Sequence, residues 1–369
     1  MMIKPDNIHF VYSVPAYWEM NIYKSIKKKV TNKLFEKHLV NKVVNDRHPK
    51  AKDFENWPKQ SPFENTKNIY IELSRRSKTK LYHITERVSI KFGHNDIFLG
   101  HPYFPYRGVE QGVTEKAVES KLRPRTFALI SPLHCNTDIS FNHINKIYLD
   151  HVGKLLEKSD LLFAIMGEYW WSKWDSSTLS KWKNKMVRVD MAIDCDYYPL
   201  VKDRFNQKGK RKFLYIGNNN PLKGTSFLTE LALLHGKEKF GWIGSGPEIC
   251  HIQRISKNRP LTPDFMRQIA SEYDFFISTS LADANPTTIL ETMAWGFPVV
   301  CTPQSGYYET DFRFSIDASN ISKSMKTLNQ LQNLTDEELF AISAKARSIV
   351  LSDYTWNKFN SIIASGLKI

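Results

Sequence analysis

Two carboxylates eight positions apart, Asp283 and Glu291, frame the segment LADANPTTILETMAWGFPVVCTPQSGYYE at 281–309. Between them Asn285 is a good N-cap and Pro286 suits the first helical position. Gly296 can close the helix in the left-handed conformation, so a helix is expected over 286–295. Its N-terminus would offer unpaired N–H groups and a partial positive charge just past the apolar run DFFIST at 274–279, where open α/β sheets bind ligands. That combination suits a phosphate. Carboxylates beside a phosphate serve as acceptors for sugar hydroxyls, because they would repel the phosphate itself. The spacing equally allows an acid at a helix N-terminus and a solvated Glu.

Other residues carry less chemistry on their own. The G-S-G at 244–246 reads as a glycine turn after a strand, which supports the architecture and not a ligand. The aromatic stretch GEYWWSKW at 167–174 can line a ligand cleft, since aromatic faces stack on sugar rings, and core packing accounts for it equally.

These residues need a frame to hold them. NIHFVYSV at 7–14 reads as a first strand, and 21–44 as a basic helix with Ile22, Ile26, Val30 and Leu34 at helical spacing. Residues 45–66 read as a long loop, followed by strands at NIYIEL (68–73), NDIFLG (95–100) and TFALIS (126–131). KSDLLFAIM and MVRVDMAID follow, and the polar stretch DRFNQKGKRK at 203–212 reads as an interdomain linker. Beyond it strand and helix patterns alternate: FLYIG, GTSFLTELALL, FGWIG, a loop, DFFIST, TTILETMAW, PVVCT and a helical tail. That order predicts a second parallel sheet with crossover helices.

With 369 residues, 41% hydrophobic and 24% charged, the chain is globular and long enough for two domains; collagen-like, low-complexity and wholly disordered classes are excluded. No apolar run approaches the length that spans a bilayer, and no signal peptide is expected at the N-terminus. Cys135, Cys195, Cys250 and Cys301 stand far apart with no C-x-x-C pair, which fits reduced thiols in a cytoplasmic protein. The net charge of +14 is concentrated early: residues 1–100 hold 19 Lys/Arg against 10 Asp/Glu, and residues 201–369 hold 20 against 16. A basic half suits nucleic acid, an acidic membrane surface or phosphorylated substrates, and charge alone does not choose.

The motifs together resemble the retaining nucleotide-sugar glycosyltransferases of family 4, the group 1 glycosyl transferases. The 283–291 segment matches their E-x7-E pattern with Asp283 in place of the first Glu. FLYIGNNNPLKG at 213–224 is similar to the strand, glycine and Lys-Gly element opening their second domain. GWIGSGPE at 241–248 is similar to their G-x-G-P turn, MAIDCDYYP at 191–199 to their N-G-I-D segment, and SDYTW at 352–356 to their C-terminal aromatic-Ser/Thr-Trp. The resemblance covers roughly residues 125–360, and the first hundred residues carry little of it.

This resemblance implies an α/β GT-B fold: two Rossmann-like domains with an interdomain cleft and a C-terminal helix crossing back. The implied boundaries are 1–202 for the acceptor-side domain, 203–212 for the linker, 213–350 for the nucleotide-sugar domain and 351–369 for the returning helix. It implies that Glu291 binds the ribose and Asp283 a hydroxyl of the donor sugar, with the backbone of Thr287 and Thr288 and the Asn285 cap facing the phosphates. Lys223 would neutralise the diphosphate as the sugar bond breaks. Gly217 and Gly244 belong to the donor-binding turns. Asn218 follows Gly217 where the family has an Arg; it can hydrogen-bond a phosphate but supplies neither charge nor a bidentate fork. His134, at the end of TFALISPLH, corresponds to a family His facing the donor sugar, and His101 in LGHPYFP competes for that role. Asp194 and Asp196 form a D-x-D that holds a metal in another glycosyltransferase fold, but their place in the N-G-I-D-like segment favours a structural role.

The implied reaction is metal-independent transfer, with retention, from a nucleotide sugar to a glycan or lipid-linked acceptor of the cell surface. The expected setting is the cytoplasm, with the basic 21–44 helix resting on an anionic inner membrane face or else packed as an ordinary solvated face. Two rivals stand beside it. One is a protein of the same fold that binds nucleotide or sugar without turnover, which Asn218 and Asp283 allow. The other is a nucleic-acid-binding protein, suggested by charge and supported by no recognised motif, so no nucleic-acid partner is expected.

Overall fold

The computed structural model describes residues 4–13, 63–84, 86, 88–102, 112–136, 139–257 and 260–369, without the side chains of 139–144. The basic stretch at 21–44 and residues 45–62 lie outside the described residues.

Among the described residues two parallel six-stranded sheets form the frame. The first contains β1 (Asn7–Tyr12), β2 (Lys78–His83), β3 (Ile97–Gly100), β4 (Thr126–Pro132), β5 (Leu161–Ile165) and β6 (Met186–Val189), in the order β2-β1-β3-β4-β5-β6. The second contains β7 (Phe213–Ile216), β8 (Phe240–Ile243), β9 (Gln253–Ser256), β10 (Phe275–Ser278), β11 (Val299–Cys301) and β12 (Arg313–Ser315), ordered β12-β11-β10-β7-β8-β9. That second order is the doubly wound one, and it reverses between β7 and β10, which makes the carboxyl ends of those two strands the place where such sheets bind ligands. Strands β7, β8, β10 and β11 are buried at every residue, as expected for strands covered on both faces.

The intervening helices are α1 (Phe63–Arg76), α2 (Val113–Val118), α3 (Ile139–Glu157), α4 (Glu168–Ser172), α5 (Thr225–His235), α6 (Pro263–Glu272), α7 (Thr287–Ala294), α8 (Ile321–Asn333), α9 (Asp336–Asp353) and α10 (Trp356–Leu367). One expectation fails here: NIYIEL is part of α1 and not a strand. Its alternating Ile69, Ile71 and Leu73 mimic a strand, but the buried face runs Phe63, Thr66, Ile69 and Leu73, which is helical spacing. Glu64 in its first turn and Arg75 and Arg76 in its last suit the helix dipole.

The chain divides into two compact units: Met1–Ser131 with His151–Phe163 and Ile363–Ile369, and Pro132–Asp150 with Ala164–Ile362. In the first, Asp96 ties strand starts together, accepting from the Asn7 N–H at 3.0 Å and lying 3.1 Å from His9 Nε2. The C-terminal residues of α10 return here: a side chain added at Gly366 would meet the Phe163 ring, and Arg76 donates to the Ile369 carbonyl at 2.8 Å.

In the second unit the core comprises Phe213, Trp242, Phe275, Ile277, Leu228 and Leu231 among others. The polar approach to β7 is anchored there: Lys202 is buried against Asp274 and the Ala270 and Tyr273 carbonyls, and Arg211 donates to the Leu331 carbonyl and to Asp336. No helix among the described residues is long and apolar enough to cross a membrane.

Candidate active site

All the residues that form this site lie in the second unit. After β7 the chain makes a tight entry to α5. Asn220 accepts from the Leu222 N–H and caps a single 3-10 turn, Pro221–Lys223, that Pro221 pre-sets. Gly224 follows at φ 64°, where a Cβ would lie 2.0 Å from the Thr279 carbonyl oxygen, so only glycine allows the two loops to touch. The contact is stitched on both sides. Leu281 and Ala282 donate to the Leu222 carbonyl at 2.8 and 3.2 Å, and Thr279 Oγ1 donates to the Lys223 carbonyl at 3.0 Å. The backbone of Lys223 is therefore fixed against the loop that follows β10.

That loop carries Asp283, and Lys223 Nζ pairs with Asp283 Oδ2. Asp283 is itself held from two directions: its N–H donates to the Gln304 carbonyl at 3.0 Å, and its carbonyl accepts from Trp170 Nε1 at 2.6 Å. His134 is the third member. Its charge state responds to both Asp283 and Lys223, and its ring lies 5.5 Å from that of Trp170. Burial dominates and pushes His134 down to about 4, with Asp283 opposing and Lys223 reinforcing, so the imidazole is neutral near pH 7. Three residues far apart in sequence thus converge at the switch point.

His101, the competing histidine, lies in the first unit, where its Nδ1 bonds the Pro102 carbonyl at 2.9 Å.

The helix after β10 begins one residue later than expected. Asn285 does not cap it: its Oδ1 accepts from the Met191 N–H at 2.6 Å, and Pro286 occupies the cap position with no side-chain bond. The carboxamide is more useful bonding a buried amide, which would otherwise lose its partner. Thr287 and Thr288 open α7, so their N–H groups are among the first-turn donors without an intrahelical acceptor. Gly296 closes the helix at φ 92°, as expected.

Glu291 is 7% exposed, which excludes a solvated carboxylate. Its side chain bonds Thr287, one turn back, and Tyr198. Burial raises it to about 7, and those two hydrogen bonds oppose the shift. Glu291 therefore sits in the second turn of α7 with Thr287 and Tyr198, whereas Asp283 faces Lys223.

The glycine turns behave as a pair. A Cβ at Gly244 would lie 1.8 Å from the Gly217 carbonyl oxygen, which already accepts from Trp242 Nε1 at 2.7 Å. Asn218, standing where the resemblance has an Arg, is exposed; its Oδ1 accepts from Ser245 Oγ at 2.6 Å and its carbonyl from the Tyr215 hydroxyl at 2.9 Å. Asp194 and Asp196 flank Cys195, where a short 3-10 turn closes through the Tyr197 N–H to the Asp194 carbonyl.

Sequence reasoning gave no role to Tyr198, Gln304 or Asn136, which donates to the Leu281 carbonyl at 2.9 Å, and it did not single out Trp170. Trp170 lay inside a noted aromatic stretch, but nothing local marks an indole that reaches a backbone 113 residues away.

Residues 210–330 match the family profile described as Glycosyl transferases group 1. No curated protein matches the chain in sequence. Among solved structures, S. aureus TarM in complex with Fondaparinux, alpha-GlcNAc-glycerol and UDP is similar, with a TM-score of 0.55 and 15% identity over 75% of this chain and 56% of that one. The chain thus spans little more than half the length of TarM. Sucrose-phosphate synthase from Thermosynechococcus elongatus is similar with a TM-score of 0.61 and 9% identity over 98% of each chain. The E. coli trehalose-6-phosphate structure bound with UDP-2-fluoro glucose has a TM-score of 0.54 and 13% identity over 75% of this chain and 74% of that one. The two parallel sheets have the GT-B fold of these proteins, and residues 210–330, which match the group 1 glycosyl transferases profile, contain the second sheet.

Proposed function

We propose that the chain is a glycosyltransferase that moves a sugar from a nucleotide-sugar donor to a glycan or glycolipid acceptor, with retention of configuration. The observation that carries this reading is the Lys223–Asp283 pair beside His134 at the point where the strand order of the second sheet reverses. A diphosphate there would meet the Lys223 ammonium and the first-turn N–H groups of Thr287 and Thr288. Lys223 would stabilise the leaving diphosphate, and Asp283 would accept from a hydroxyl of the sugar being transferred. His134, neutral because it is buried, can donate or accept a hydrogen bond at the sugar without repelling a cation.

Glu291 and Tyr198 would hold the ribose, Glu291 in a protonation state that shifts near neutral pH. With Lys223 and the helix N-terminus supplying the positive charge, the reading needs no metal. Solved neighbours bound to UDP and to UDP-2-fluoro glucose support a nucleotide-sugar donor. The basic N-terminal hundred residues support work at an anionic membrane face in the cytoplasm, on acceptors destined for cell-surface polysaccharide.

The test incubates the chain with UDP-, GDP- and dTDP-sugars and follows sugar release and transfer. One donor is expected to turn over, and Lys223→Ala to lower kcat by roughly 10²–10³ with a smaller change in affinity, as for loss of one leaving-group stabiliser. Nucleotide binding without sugar release across the panel would instead identify a binding protein that keeps the fold.

A further inference from the structure

We propose that Tyr169 and Tyr308 form a stacking platform for a pyranose ring of the acceptor. The inference rests on the reading above, because it assigns the acceptor side of that same site.

Helix α4 is short, and its two faces do different things. Trp170 turns inward, is buried, and donates from Nε1 to the Asp283 carbonyl. Its neighbour Tyr169 is half-buried and packs edge-to-face on Tyr308, with ring centroids 5.5 Å apart and planes at 73°. Tyr308 is 37% exposed, whereas its neighbour Tyr307 is 3% exposed. In such a perpendicular pair at least one ring keeps its face clear of the other.

The platform is also rigid. The Tyr308 hydroxyl bonds Ser172 Oγ, one turn on from Tyr169. The Tyr169 N–H donates to the Gly306 carbonyl at 3.2 Å, and the Gly167 N–H donates to the Ala284 carbonyl at 2.9 Å. Aromatic rings fixed in this way bind an apolar face at little cost in conformational entropy. The chain of bonds leads to Asp283, the residue assigned to the donor sugar, and not to the Gly217 and Gly244 turns at the other end of the donor. A ring seated there is therefore on the sugar side, where the acceptor must approach. The C–H face of a saturated pyranose suits an aromatic surface, and its hydroxyls remain free to react.

Saturation-transfer NMR with methyl α-D-glucopyranoside, methyl β-D-galactopyranoside and methyl N-acetyl-β-D-glucosaminide tests this, with thermal shift by UDP, GDP and dTDP measured on the same samples. Wild type should saturate the ring protons of at least one glycoside. Tyr169→Ala and Tyr308→Ala should weaken that glycoside's binding about tenfold, the scale of one lost aromatic contact. Tyr308→Phe keeps the ring and should bind within about twofold of wild type, and the nucleotide-induced shift should be unchanged in all three variants. Failure of wild type to bind any of the glycosides overturns the platform, as does wild-type binding by the Ala variants. Loss of nucleotide binding in place of glycoside binding also overturns it, by making the rings a base-stacking site. A platform that behaves as described while no nucleotide binds wild type sinks the proposed donor chemistry and leaves the platform standing.

Discussion

Replacing Glu291 by Gln should remove a large and specific pH dependence of stability. In the folded protein Glu291 is 7% exposed and burial raises it from 4.5 to about 7. Because the folded value lies above the unfolded one, the native state holds the proton longer. The stability contribution is therefore complete below pH 4.5 and is lost as pH rises through about 7. A shift of that size corresponds to about 3.4 kcal/mol in full, of which about 2.5 kcal/mol falls between ~pH 5 and ~pH 8. Glutamine keeps the hydrogen-bonding shape toward Thr287 and Tyr198 but carries no titrating proton. Urea unfolding of wild type and Glu291→Gln at both pH values isolates the effect, since every other titrating group cancels in the difference between them. The wild type should lose about 2.5 kcal/mol relative to the variant on going to the higher pH. A difference that does not change with pH would refute the assignment of Glu291 as a buried acid.

Two further outcomes follow from the same geometry. Gly244→Ala should lower the melting temperature by the equivalent of about 1–3 kcal/mol, because its Cβ would strike the Gly217 carbonyl oxygen at 1.8 Å and neither backbone can yield freely; an unchanged melting temperature would show that the turns are loosely apposed. His134 should titrate by NMR with a midpoint of about 4, and the pH–rate profile should lack a limb near 6.5 that His134→Gln abolishes. A midpoint near the ordinary histidine value would place the ring in water.

The second sheet was legible because β7, β8, β10 and β11 are short apolar runs buried throughout, and Gly217 and Gly244 mark the turns after β7 and β8. Its edges were not. QRIS in β9 and RFS in β12 have few apolar residues, and nothing in so polar a run announces a strand. Lys202 and Arg211 illustrate the same limit, since charge in a sequence reads as solvent exposure, yet both side chains are buried against carbonyls and acids distant in the chain.

In the candidate site, local capping rules placed α7 to within a residue and the left-handed Gly296 closing it. They misassigned Asn285, whose partner Met191 is 94 positions away. The approach of Lys223 to Asp283, and of His134 and Trp170 to both, depends on loop contacts made through backbone carbonyls. Residue types alone do not encode those contacts.

The central claim is that a nucleotide sugar seats where the loops after β7 and β10 meet. Amide hydrogen exchange with and without UDP-, GDP- and dTDP-sugars measures this directly. The account predicts that one donor slows exchange at 217–225 and 279–289 and that Lys223→Ala diminishes the protection. Protection confined to other segments, or none with any donor, would contradict it.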